Sequence, residues 1–326
     1  MTNSLKTAVL FLLFNRPNTT AQVFEKIRQI KPQRLYIASD GPREGYDGEI
    51  EKVTKAREIA TKIDWPCEVK TLFRDKNLGC KKGVSSAITW FFEQEEQGII
   101  LEDDCVPHLD FFTFCENLLH RYSRDERISA ITGNNFQNGK WRGDASYYFS
   151  KFAHCWGWAT WRRSWQHYDA DIKFWPEWSN SKAWFDYMSD KVERRYWQKI
   201  FNRVHAGQVD SWAYPWTASL WHKDGFSITP NVNLVSNIGF RDDATHTKSK
   251  NDKSANMKTL SLEILKSPKV VQRDMEADAC TFNYHYNGKN SRFPYSWIIF
   301  PRRVLSYLYQ KTKVYFKKQY IKNFGQ

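Results

Sequence analysis

The chain has 326 residues, a formal charge of +13, and 41% hydrophobic against 26% charged residues. That describes an ordinary globular chain of one large domain with an extension, or of two modest domains. No apolar run approaches the roughly 18 residues a membrane-spanning helix needs. The charge is uneven: no acid follows Asp278, while nine lysines and arginines do. The basic character therefore belongs to the tail.

Residues 8–14 form the first apolar run. One lysine precedes it, and Asn15-Arg16-Pro17 stand where a cleavage site needs small side chains, so the run reads as a buried strand and not a signal peptide. Residues 19–30 put Val23, Phe24, Ile27 and Ile30 on one helical face. Residues 34–38 predict a second strand ending in the turn Ser39-Asp40-Gly41-Pro42. A helix is expected over 49–63 with Ile50, Val53, Ala60 and Ile63 inward, then a strand over 67–74, a loop over 75–79 and a helix over 83–94. Residues 99–102 predict the next strand, and Phe111, Phe114, Cys115, Leu118, Leu119 and Tyr122 stripe the helix after it. This alternation predicts an α/β fold, a mostly parallel central sheet flanked by helices. Ligands of such sheets bind beyond the carboxyl ends of the strands, where Asn15-Arg16, Ser39-Asp40, Arg74-Asp75 and Glu102-Asp103-Asp104 all fall. Neither GxGxxG nor GxxxxGK[ST] occurs.

The richest segment is Gly98-Ile99-Ile100-Leu101-Glu102-Asp103-Asp104. Three adjacent acids repel one another more strongly as water leaves, so a strand tip keeps them chiefly when a cation neutralises them. Their oxygens suit Mg²⁺ or Mn²⁺, and strand alternation puts Glu102 and Asp104 on one side and Asp103 on the other. The alternative is a solvated acidic turn. Between 141 and 221 lie twelve of the fifteen tryptophans. Aromatic faces suit the C–H faces of sugar rings. Most of these rings are expected in the core, with Trp156, Trp158 and Trp161 assigned to an acceptor site. Six scattered cysteines, without metal-like spacing, fit free thiols in a reducing cytoplasm.

Asn-Arg-Pro after the first strand, Ser-Asp-Gly after the second, Glu-Asp-Asp-Cys at 102–105, Trp-Gly-Trp-Ala-Thr-Trp-Arg-Arg at 156–163 and Pro-Asn-Val-Asn-Leu-Val-Ser-Asn-Ile-Gly at 230–239 belong together. The pattern resembles GT-A fold glycosyltransferases, the nucleotide-diphospho-sugar transferases, and within them the N-acetylglucosaminyltransferase I-like and bacterial hemolytic-protein-like branches. The resemblance covers roughly residues 5–250. It implies a catalytic domain over 1–250, with a nucleotide-sugar half (1–140) and an acceptor half (141–250), followed by a basic aromatic extension over 251–326. It further implies that Asp104 binds Mn²⁺ or Mg²⁺, that Glu102 and Asp103 contact donor sugar and ribose, and that Asp40 sits near base and ribose. Asn15, Arg16, Arg74 and Asn77 would complete the nucleotide pocket, and His246 would approach the metal or diphosphate. Asp40 as a mere turn residue and Arg74 as a surface charge are the structural alternatives. For the catalytic base of an inverting transfer the candidate is Asp210, with Asp169, Asp171 and Asp186 as competitors. Family members often carry Asp where this chain has Ala213.

The expected function is metal-dependent transfer of a sugar, from a UDP-sugar or similar donor, to a saccharide or lipid-linked acceptor in bacterial surface polysaccharide or lipopolysaccharide synthesis. A sugar-nucleotide nucleotidyltransferase and a non-catalytic carbohydrate-binding protein are the alternatives. The tail mixes aromatic and basic residues over 290–326, the composition of a segment that meets an anionic bilayer. A cytoplasmic protein, peripheral on the inner face of the membrane, is expected. Nucleic acid is not, because the tryptophan-rich region and the basic region are separate stretches of the chain.

Overall fold

The computed structural model describes residues 4–240, 252–262, 265–295 and 297. Strand β1 (Val9–Leu13) is buried on both faces. Pro17 supplies the first residue of α1 (Pro17–Ile30), where its missing N–H costs nothing and its φ is already helical. The chain then runs through β2 (Arg34–Ser39), α2 (Glu49–Ala60), β3 (Glu68–Phe73), α3 (Gly79–Gln94), β4 (Gln97–Glu102), β5 (Cys105–Pro107), α4 (Leu109–Arg121), β6 (Ile128–Thr132), β7 (Tyr147–Ser150) and β8 (Trp158–Trp161). Four shorter or middle-length helices follow in α5 (Arg162–Trp165), α6 (Trp175–Trp178), α7 (Lys182–Tyr187) and α8 (Lys191–His205). The described chain ends with α9 (Ala213–His222), β9 (Phe226–Pro230), β10 (Val235–Asn237), α10 (Met275–Tyr284) and a 3₁₀ turn at Gly288–Ser291.

Eight strands form one sheet in the order β3-β2-β1-β4-β8-β6-β9-β7, and β5 pairs with β10 in a separate ribbon. Neighbours β1 to β4 are parallel, as are β6 and β9, while β8 and β7 run against their neighbours. The mixed α/β architecture is therefore a large, mostly parallel sheet with helices on both faces. From β1 the chain winds outward to β3, then returns past β1 to lay down β4 on its other side. The direction of winding reverses between β1 and β4, which opens a crevice at their carboxyl ends.

Alternation along the strands divides the core. Val9, Phe11, Leu13, Leu35, Ile37, Ile99 and Leu101 join one cluster with α1 and α4. Ala8, Leu10, Leu12, Tyr36, Ala38 and Ile100 join another, filled mainly by aromatic rings from α3, α8 and α9. Trp158 and Trp161 lie in strand β8, and their exposures of 1% and 3% correct their assignment to an acceptor site. Trp158 stacks on Trp212 at 5.5 Å, while Trp161 donates from Nε1 to the carbonyl of Leu119 on the opposite face. Ile50 also departs from expectation at 66% exposure, because α2 buries Glu49, Val53, Ala56 and Ala60 instead.

The boundary at 250 does not separate a free extension. The peptide at Arg273 bridges to Phe149 on the β7 edge, and Asp278 accepts hydrogen bonds from Ser150 Oγ (2.6 Å) and the Lys151 N–H (3.3 Å). Phe282 is fully buried in the aromatic cluster. These long-range contacts join α10 to the sheet. Among the described residues, no helix is long and apolar enough to cross a membrane.

Candidate functional site

Pro17 ends the first strand segment and starts α1, so Arg16, as its N-cap, is held over the crevice. Its guanidinium ion-pairs with Asp104 and lies 3.5 Å from Asp103 Oδ1. The other Asp103 oxygen accepts the Phe14 N–H at 3.0 Å. Both aspartates are buried. A single fixed guanidinium thus faces three carboxyl groups. Burial pushes Glu102 up to about 8, aided by the negative charges of Asp104 and Asp103 and opposed by Arg16 and a Trp212 hydrogen bond. Burial also raises Asp103, against the pull of Arg16. Arg16 itself, though desolvated, is held more firmly protonated by the acids.

The ribbon of β5 and β10 roofs this cluster. Asn237 pairs with Cys105, and the Ile238 N–H donates to the Asp104 carbonyl at 2.8 Å. Gly239 packs so tightly that an added Cβ would stand 2.0 Å from Asp104 Oδ2, so this position needs glycine. His246 lies outside the described residues.

Two cavities meet at the acids. One, of about 230 Å³, runs along the ends of β1, β2 and β4 and is lined by Arg16, Asp40, Arg43, Arg74, Asn77, Glu102, Asp103 and Asp210 among others. The second, of about 390 Å³, is aromatic: Phe136, Trp156, Trp197, Trp212, Tyr214 and Tyr286 share its wall with Glu102 and Asp104. Arg16, Cys80 and Glu102 line both. Asp103 faces only the first and Asp104 only the second, while Glu102, expected on the side of Asp104 alone, lines both; β4 ends at Glu102, so the two aspartates belong to the turn after it.

Asp40 is a structural anchor. Its carboxylate accepts the N–H groups of Leu78 (2.9 Å) and Gly79 (3.1 Å) at the start of α3, and burial raises its pKa despite these bonds. Gly79 has φ +78°, the left-handed region that favours glycine. Asn77 donates to the Gly41 carbonyl at 2.9 Å and accepts the Gly79 N–H at 3.2 Å, and Arg74 donates to Ser86 Oγ at 2.7 Å, so each sits on the cavity wall with polar contacts already made. Asn15 is turned away: its amide donates to Glu49 Oε1 at 2.8 Å, and it lines neither cavity. This corrects its expected place in a nucleotide pocket.

Asp210 reaches the first cavity from the second half of the chain and accepts the Lys81 N–H at 2.9 Å. Its competitors are engaged elsewhere. Asp169 accepts the N–H groups of Asp171 and Lys173, Asp171 pairs with Lys81 at 2.9 Å, and Asp186 pairs with Lys182 on the surface.

Several wall residues escaped the sequence reading. Arg43 packs over Tyr46 at 4.0 Å while ion-paired to the buried Glu49. Cys80 is a half-buried thiol whose pKa rises to about 12, chiefly through desolvation. His154 and His285, both kept neutral by burial, pack against Phe136 at 4.5 and 3.7 Å between ring centroids. Their signals were absent because His285 and Tyr286 are brought in by α10, more than 180 residues from the acids. All six cysteines are free.

Neither protein-family models nor curated proteins give a match to this chain. Among solved structures, the crystal structure of HddC from Yersinia pseudotuberculosis is similar at 12% identity and a TM-score of 0.31, over 52% of this chain and 86% of that one. That likeness carries no argument about function.

Proposed function

We propose that the protein is a metal-dependent glycosyltransferase of GT-A type, moving a sugar from a nucleotide-diphosphate donor to a saccharide acceptor. One observation carries the reading: an acid triplet at the crevice between β1 and β4 forms the partition between a polar cavity and an aromatic one. A group-transfer enzyme needs two adjoining sites with charge-handling side chains at their junction. In this reading the polar cavity takes the nucleotide, and the aromatic cavity, with Trp156 on its wall, takes the acceptor's sugar rings.

The donor set fits a divalent cation. With Glu102 holding its proton at neutral pH, Asp103 and Asp104 still outnumber the one guanidinium, so negative charge remains to be balanced. Among the described residues no group of three or more His, Cys, Asp or Glu side chains is arranged to hold a metal ion. In this reading the ion would therefore rest on one or two carboxylates, with diphosphate and water filling its other positions. Asp104 would hold Mn²⁺ or Mg²⁺, which when bound supplies Lewis-acid neutralisation of a departing diphosphate. Asp210 lies on the polar side, close to Cys80 at the junction of the cavities, so in this reading the acceptor hydroxyl would cross the junction to give it a proton, a contribution of around 10²–10⁴-fold. Arg16 orients Asp103 and Asp104 and adds positive charge beside the diphosphate. Asp40 fixes the start of α3, and with it the cavity floor.

The test is a panel of nucleotide sugars with Mn²⁺ or Mg²⁺, read by nucleoside diphosphate release. Release from one donor is expected, and Asp104→Asn should abolish it together with any metal-induced rise in melting temperature. Undiminished turnover by that variant would contradict the metal assignment. Release of pyrophosphate from a nucleoside triphosphate supplied with a sugar 1-phosphate would instead indicate nucleotidyl transfer, and ligand binding without turnover a carbohydrate-binding protein.

A further inference from the structure

Beyond the acid cluster, the most unusual surface lies after α10. Phe293 and Trp297 are each 77% exposed, with their rings edge to face at 6.2 Å. Beside them Lys289 lies 4.7 Å from the ring of Tyr295 and 5.8 Å from that of Tyr284, and both tyrosines are exposed. This surface is fixed to the body, because Arg292 ion-pairs with Asp190 at the start of α8 (2.8 Å) and donates to Asn283 (2.9 Å). The next 29 residues, 298–326, carry seven lysines and arginines and no acid.

We propose that this aromatic and basic face docks the protein on an anionic bilayer surface, and that the positive charge carried in the sequence of residues 298–326 adds to the attraction. Large exposed rings interleaved with cations match the headgroup layer, where the rings enter the boundary with the acyl chains and the cations meet lipid phosphates. A protein partner would ask for a closed apolar patch instead. Position adds a reason. Tyr284 also lines an outer groove of about 420 Å³, and that groove shares Phe136 and His285 with the aromatic cavity. Docking through Tyr284 brings the rim of this groove to the bilayer, so a substrate entering there comes from the membrane plane. The docking itself does not depend on sugar transfer.

The full-length protein should be sedimented with vesicles of phosphatidylcholine alone, and of phosphatidylcholine mixed equally with phosphatidylglycerol. Binding is expected only to the mixed vesicles and should weaken with salt, because each surface cation contributes roughly fivefold to the partition constant. Deleting 298–326 should weaken it strongly. Phe293→Ser combined with Trp297→Ser, both at solvent-facing positions, should weaken it by roughly tenfold while the melting temperature stays unchanged. Equal binding to both vesicle types, no binding to either, or an unchanged partition in the double variant would each overturn the proposal. So would stronger retention by a DNA duplex than by the mixed vesicles, which would mark the segment as a nucleic-acid arm. None of these readouts requires catalysis, so a failed transfer assay and a failed docking assay remain separate results.

Discussion

At the scale of single residues, the acid cluster stores energy in its protonation. Glu102 is raised from the ordinary carboxylate range to about 8. Between those values the folded state holds a proton that the unfolded chain has released. Stability is therefore greatest at the acid end of that window and falls as pH rises towards 8. Glu102→Gln, neutral at every pH, should flatten this decline when urea midpoints are compared across the window. Equal slopes in the two proteins would remove Glu102 as the cause. Tryptophans give a second contrast. Trp158→Ala opens the core and should cost about 3–5 kcal/mol in urea titration. Trp156 stands partly open on the aromatic cavity, beside Phe136 and Phe240 at 5.6 Å each. Trp156→Ala should therefore lose far less stability and instead weaken acceptor use, raising the acceptor KM more than the donor KM.

At the scale of elements, α3 is joined to both halves of the chain through its first turn. Asp40 holds the N–H groups of Leu78 and Gly79 from one side, and Asp210 holds that of Lys81 from the other. Asp40→Ala should cost about 1–2 kcal/mol, the range of a lost helix cap, visible as faster amide exchange at 78–81. Protection unchanged at those amides would show that the cap is dispensable. The same elements explain what the sequence disclosed. Strands β1 to β4 and helices α1, α3 and α4 were legible because their apolar periodicity is local. Helix α2 misled because the buried Glu49, bonded to Arg43 and Asn15, fills a face position that an apolar residue was expected to hold. The acid triplet was legible as a cluster and as a two-sided one, but the guanidinium that neutralises part of it was not, because no sequence rule aims Arg16 at Asp103 and Asp104. The aromatic cavity was half legible. Trp156 lies in a motif, whereas Trp212, Tyr214 and Tyr286 arrive through helix packing that sequence spacing does not encode.

At the scale of the whole molecule, the sheet, the tryptophan-rich cluster and α10 share one continuous core, so residues 252–292 are not an appendage. Asp278 accepts from Ser150 at the end of β7 and from the adjacent Lys151, and pairs with Arg273, all within the interior. A chain ending at residue 250 would leave the β7 edge and the Phe282 site uncovered. It should be recovered as aggregate, or melt without a cooperative transition, whereas a chain ending at 297 should unfold in a single step. A soluble, cooperatively folding 1–250 fragment would show that the extension is an independent addition.

The thin partition shared by the two cavities has a pharmacological corollary. Only Arg16, Cys80 and Glu102 belong to both walls. On the proposed reading of the two cavities, a tethered compound with a nucleoside head for one compartment and a glycoside for the other would need only a short linker past Glu102. Its second moiety would then bind at high effective concentration, so its affinity should far exceed that of either half. Such a bisubstrate molecule would report the span between the two compartments directly, through the linker length at which inhibition peaks.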